Sequence, residues 1–262
     1  MAMPWEVRSA IQETTRNRAP SRTIRELAEI AAGRRRSLSL VRTLASLSSE
    51  YGISSAFYWK SSPLSPYDSG YDPRTPEISA AIREITAQGF ENGVHPGYET
   101  YLCPQKLSQE VEIIRHVIGQ HELGGRQHYL RWCPETWLHW EQCGMLYDST
   151  LGYADNFGFR AGTCVPYRPW LFSRNREALL IEIPLIVMDV TLIDYMNLGF
   201  ERSLAVIREC VARCSSIGGV FTFLCHNTAL KSNAFVDFYK QVLQILAGLT
   251  SFDLAHYSKT RN

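Results

Sequence analysis

The 262-residue sequence lacks most of the marks that assign a function directly. No apolar run approaches the ~18 residues a membrane-spanning helix needs. The longest candidate, LLIEIPLIVMDV, carries Glu182 and Asp189, so no membrane span is expected. The opening residues, MAMPWEVRS, have no apolar stretch of the secretory-signal kind. Seven cysteines are present, an odd number, and none of their spacings forms a CxxC pair or a zinc knuckle. Such scattered thiols fit a reducing compartment, so a cytoplasmic location is expected. The formal net charge is only +1, which argues against a general attraction to nucleic acid or acidic membranes. There is no GxGxxG opening a helix, no P-loop, no HExxH and no GxSxG elbow. A nucleotide cofactor and a serine-esterase mechanism therefore lack support. With no repeat, low-complexity tract or linker, residues 1–262 read as a single domain.

What is present is an alternation of helical and strand patterns. Residues 1–50 read as helical and basic, with breaks at Pro20 and Gly33. Arginines 16, 18, 22, 25, 34, 35, 36 and 42 form a basic run there, either solvated helix faces or the seat of an anionic, phosphate-linked sugar. Helices are predicted over 38–51, 77–87, 107–119, 134–144, 200–216 and 234–246, from apolar residues recurring near a 3.6 period and from glycine stops. Strands are predicted over 53–59, 90–94, 126–132, 146–148, 179–188 (interrupted at Pro184) and 220–224. Residues 61–76, rich in Ser, Pro and Gly, read as a loop. This alternation implies an α/β fold with a mostly parallel sheet or barrel.

His95, Asp148, Asp189 and His226 all fall at or just after strand ends, where parallel α/β folds gather their sites. His95 is either a locally bonded turn histidine or a ligand or acid–base group, with Glu91 and Glu99 near enough to orient it. Between Gly124 and Thr163 lie Arg126, His128, Arg131, Asp148, Asp155 and Arg160, a density of ionisable groups that a core would not tolerate without partners. That stretch reads as one wall of a polar pocket. Within it, Asp148 either caps a turn or meets the pocket arginines or a metal, and Arg160, between glycines, is expected to reach a carboxylate. Asp189 closes a buried strand and requires a partner.

Taken in order, GFENGVHPGYE, GGRQHYLRW, YDSTLGYADNFGFRAGT, PLIVMDVTL and GGVFTFLCHN resemble the polysaccharide deacetylase (NodB-homology) superfamily. The narrower resemblance is to its divergent branch in bacterial surface-polysaccharide clusters, O-antigen biosynthesis included. The motifs span about residues 51–230. The resemblance implies a distorted (β/α) barrel of the polysaccharide deacetylase type, a divalent metal, usually zinc, and removal of an N-acetyl group from a sugar or polysaccharide precursor. It implies His95 and His128 as metal ligands, His226 and Asp189 as catalytic residues, and Arg126, Arg131, Asp148 and Arg160 as substrate-binding residues. Two departures accompany it. Where the family's second motif has two histidines four apart, Glu99 follows His95, so His128 is the expected substitute. The family's first strand ends in paired aspartates, and here no aspartate precedes Asp68. Two alternatives stay open: the start is truncated and a strand is missing, or the acids have been lost and the protein binds a sugar or a partner without turnover. A glycosidase using Asp148 and Asp189 is a third, weaker reading.

Overall fold

The computed structural model describes residues 36–68 and 70–252, so the basic stretch up to residue 35 and the expected helix breaks at Pro20 and Gly33 lie outside the described residues. The first described element is α1 (Arg36–Tyr51), closed by Gly52 at φ +66°. Next come β1 (Ala56–Trp59), α2 (Pro76–Ala87), β2 (Glu91–Val94), α3 (Pro104–Ile118), β3 (Gly124–Gly125), α4 (Pro134–Gln142) and β4 (Tyr147–Asp148). A hairpin of β5 (Trp170–Leu171) and β6 (Arg176–Glu177) leads to β7 (Ile181–Glu182) and β8 (Val187–Met188). The chain then closes with α5 (Phe200–Ser216), β9 (Phe223–Leu224) and α6 (Asn233–Leu246).

The fold is α/β, built on a parallel sheet. Five strands pair in the order β1-β2-β3-β4-β7, and β8 pairs with β9 in a separate parallel ladder. Among the described residues no ladder joins β7 to β8 or β9 to β1, so closure into the expected barrel is not seen among them. The predicted strand at 179–188 becomes two at Pro184. Ile183 still donates its N–H to the Asp148 carbonyl, whereas Val187 donates to Thr222, so the chain leaves β4 and joins β9. Proline has no N–H to continue the first ladder, and its carbonyl accepts the Thr222 hydroxyl instead.

The predicted strand at 126–132 is a correction. The ladder there consists of Gly124 and Gly125 alone, and His128–Leu130 turns in a 3₁₀ helix. The cause is close packing. A Cβ on Gly124 would fall inside the Tyr147 ring, and one on Gly125 would fall on the Val94 carbonyl. Beyond the glycines the side chains need room, and the chain turns away with Tyr129 and Leu130 both at positive φ.

Two apolar clusters flank the sheet. One joins α2, α3 and α4 through Ile82, Ile85, Val111, Ile114 and Trp140; the other joins α1, α5, α6 and β8 through Leu44, Ile207, Phe238 and Val242. Phe57 packs against both, so β1 is the seam between them. Gly124→Ala is expected to cost about 3 kcal/mol, the upper end of ordinary overpacking, because backbone and a buried ring must both move. Urea unfolding measures it, and a loss below about 1 kcal/mol would show that the strands separate easily.

Candidate functional site

The candidate site lies at the C-terminal ends of the parallel strands. Lys60 follows β1, His95 follows β2, Arg126 and His128 follow β3, Asp189 follows β8, and His226 follows β9. Parallel pairing puts these ends on one rim. The charge of His226 is felt at both His95 and His128, and that of Arg126 is felt at His226, so these groups lie in one neighbourhood.

The late pair is the most complete. Asp189 is 1% exposed and accepts from His226 twice, at Nδ1 (2.6 Å) and at the backbone N–H (2.7 Å). It also takes the Val190 N–H at 2.7 Å. His226 keeps an open side, with 44% of its side chain exposed. Desolvation pulls the His226 pKa down, yet the hydrogen bond and charge of Asp189 outweigh it, and the net shift is upward. With Nδ1–H committed to Asp189, Nε2 is the nitrogen that meets a ligand.

On the other side of the pocket His95 Nδ1 lies 2.8 Å from the Arg126 carbonyl, which fixes Nδ1 as the donor and leaves Nε2 as a free lone pair. Burial, with the charges of His128 and Lys60, holds His95 well below the ordinary imidazole value, so its ring is neutral. The expected partners do not serve it: Glu91 accepts the Tyr147 hydroxyl and Glu99 pairs with Lys106 on the surface. The His95 and His128 rings stand 4.9 Å apart, edge to face.

Two residues that sequence reasoning passed over organise this side. Asp68, in the loop after β1, accepts from Lys60 Nζ at 2.5 Å and lies 2.8 Å from His128 Nδ1; it also takes the Tyr98 N–H at 3.0 Å. Desolvation raises the Asp68 pKa, but the bonds from His128 and Lys60 win and hold it far below the usual carboxylate range. Lys60 Nζ lies 2.8 Å from the same His128 nitrogen, which can donate to Asp68 or accept from Lys60 but not both. Burial lowers the Lys60 pKa against the support of Asp68. The signal for Lys60 was present, because it is a polar residue directly after an apolar strand, the same mark that singled out His95 and His226. Glu110 was also missed. It is buried on α3, takes the Gly97 N–H at 2.7 Å, and burial pushes it up to about 7.

The remaining predicted residues divide. Arg126 is buried and donates from Nε to the Ser149 carbonyl and from Nη2 to the Ser149 hydroxyl, both at 2.7 Å. Asp148 is fully buried beneath the rim, takes the Thr150 hydroxyl, and is closed to any ligand, which also removes it from a glycosidase pair. Arg131 lies over the rings of Tyr98 and Tyr101. Arg160 is exposed and donates to the Gly152 carbonyl at 2.9 Å rather than to a carboxylate.

The expected metal has two neutral imidazoles to meet it, at His95 and His128. Among the described residues, however, no three His, Cys, Asp or Glu groups converge as a metal-binding set. The carboxylate nearest His128 is already bonded to an ammonium ion. The arrangement does not fit a resident divalent ion.

Against known proteins, no family model and no curated protein sequence matches this chain. The crystal structure of a candidate polysaccharide deacetylase from Mycobacterium smegmatis matches with a TM-score of 0.63 at 15% identity, covering 96% of this chain and 84% of that one. The chain has a polysaccharide deacetylase-like fold. A candidate deacetylase from Bordetella bronchiseptica, described as involved in O-antigen biosynthesis, matches at 13% identity and a TM-score of 0.44, covering 84% of this chain and 83% of that one.

Two measurements probe the site of this deacetylase-like fold. Removing the ammonium by Lys60→Ala is expected to tighten zinc binding roughly tenfold or more. A unit charge at about 4 Å opposes each unit of a cation's charge by about 4 kcal/mol at an effective dielectric of 20, of which solvent screening removes part. Zinc calorimetry on both proteins checks this, and equal or weaker binding by the variant counts against it. The second measurement concerns Asp148 and Glu182. Burial raises both pKa values; the Asp148 charge adds to the rise at Glu182, whereas the hydrogen bond from Glu182 favours the ionised form of Asp148. Groups with raised folded pKa values stabilise fully below the ordinary carboxylate range of about 4 and lose that contribution as pH rises through the raised values. The melting temperature should therefore fall as the pH rises from about 4 through about 7, and Asp148→Asn should flatten the fall. Calorimetry showing the same slope in both proteins would rule the pair out as its source.

Proposed function

We propose that the chain is a carbohydrate hydrolase that removes an N-acetyl group from a sugar of a surface polysaccharide or its precursor. The observation that carries this reading is the Asp189–His226 pair, an imidazole fixed at Nδ1 by a buried carboxylate and open at its other nitrogen, facing the rim of His95 and His128. Hydrolysis of an amide needs a proton taken from the attacking water and one delivered to the departing amine. His226 does both on this reading. Asp189 holds the tautomer and stabilises the imidazolium that forms between the two transfers. Lys60, the ammonium at the end of β1, favours negative charge developing on the carbonyl oxygen. The sequence motifs support an N-acetylated sugar as the substrate, and the unpaired cysteine pattern supports a cytoplasmic precursor over a finished polymer.

A second reading, a sugar-binding protein without turnover, is favoured by one observation: Lys60 neutralises Asp68 beside His128. Acetate release from N-acetylated sugars and sugar nucleotides separates the two. On the first reading acetate appears, and His226→Ala lowers kcat/KM by roughly 10²–10⁴-fold. Binding of the same sugars with no acetate from any of them leaves only the second.

A further inference from the structure

Beside the strand-end pocket stands a group of tyrosines that the hydrolytic reading does not use. Arg131 lies with its guanidinium carbon 3.8 Å from the Tyr98 ring centre and 4.0 Å from that of Tyr101. Tyr67 stacks on Tyr98 at 4.0 Å with 17° between the planes. A guanidinium and a ring that close cannot share one face, so Tyr101, Arg131, Tyr98 and Tyr67 form a single column. Tyr129 stands edge-on to its end, 85° from both Tyr67 and Tyr98.

The column ends in solvent. Tyr67 is 52% exposed and Tyr129 is 57% exposed, an outcome that hydrophobic burial does not explain. Tyr129 also sits at φ +57° and Leu130 at φ +50°, a left-handed pair of non-glycine residues. Each such residue costs on the order of 1–3 kcal/mol and persists where the surroundings hold it, commonly at ligand clamps. Here the strain aims a flat ring outward, and the cation–π contacts stiffen the column behind it.

The platform is continuous with the pocket. Tyr67 precedes Asp68 and Tyr129 follows His128, the two residues that meet at 2.8 Å; the Tyr129 ring lies 4.5 Å from that of His128. The Tyr98 N–H donates to Asp68. A ligand whose reacting group enters between His128 and His226 would lay its neighbouring ring on this corner.

We propose that the faces of Tyr67 and Tyr129 form a subsite for a pyranose ring adjoining the N-acetylated residue held in the pocket. Rigid amphipathic tyrosines suit this ligand, since they cover its C–H face without large loss of side-chain freedom and leave its hydroxyls to water. The inference rests on the carbohydrate reading of the pocket, and it concerns binding rather than turnover.

The test is calorimetric titration of the full chain with N-acetylated methyl glycosides and with N,N′,N″-triacetylchitotriose. The trisaccharide should bind more tightly than any monosaccharide. Tyr67→Ala should weaken it about tenfold, and Tyr67→Phe should stay within about twofold, because the stacking face is kept. Tyr67→Trp, which keeps a face and adds a fluorophore, should show a saturable emission change in the same titration. Wild-type affinity in Tyr67→Ala, or no saturable binding of any of these sugars by the wild-type protein, overturns the subsite. Uridine diphosphate binding more tightly than the sugars and losing affinity in Tyr67→Ala would assign the platform to a nucleobase and overturn the pyranose assignment. Saturable, Tyr67-dependent binding with no acetate released keeps the subsite and removes the hydrolase reading. Acetate release with unaltered binding in Tyr67→Ala does the reverse.

Discussion

Everything at the rim rests on a buried polar layer beneath it. Arg126, Asp148, Ser149, Thr150 and Glu182 are all buried, and they join the ends of β3, β4 and β7. Glu182 accepts the Trp137 indole N–H and the Leu151 N–H, both at 2.9 Å, so it ties α4 and the following loop to the sheet. Charges in such a place are tolerated only when their partners are supplied. The Arg126 guanidinium sits on Ser149, and burial raises the pKa values of both acids, with the Asp148 charge adding to the rise at Glu182. This layer sets the position of the Arg126 carbonyl, and that carbonyl holds His95. The Gln127 N–H is likewise bound to the Thr150 hydroxyl, so the segment leading to His128 is anchored from below.

Above that layer the two sides of the pocket differ in their protons. His226 is pushed toward its charged form by Asp189, whereas His95 and His128 are held toward the neutral form by burial. The positive charge within reach of Asp68 is carried by Lys60, the residue directly after β1. The tyrosine column beside it ends in two exposed rings, Tyr67 and Tyr129.

How far the site was legible in the sequence depends on how local its cause is. His95 and His226 follow apolar strands directly, so their place at the rim could be read from order alone. Arg126, Arg131 and Asp148 were recognised as belonging to one polar wall, but not their direction. Arg126 and Asp148 turn downward into the buried layer, and Arg131 turns sideways into tyrosines. Asp68 was hidden because the loop from 61 to 76 carries no period, and its position follows from contacts with residues 8, 30 and 60 places away. The segment after β3 was read as a strand, and the glycine contacts that end the strand lie in β2 and β4, out of reach of a local reading.

The sequence by itself determined the helices, their glycine stops, the alternation that makes a parallel sheet, and the strand-end rule that located His95, Asp189 and His226. These follow from local propensity and from periodicity, which each short segment carries alone. Only the tertiary structure decided that Lys60 and Asp68 join His128, that Asp189 holds His226 at Nδ1, and that Tyr67 comes to lie on Tyr98. Those contacts join residues about 30 to 60 positions apart or elements from different ladders. Their geometry is set by how closely β2, β3 and β4 can approach across their glycines, and no single segment encodes that distance.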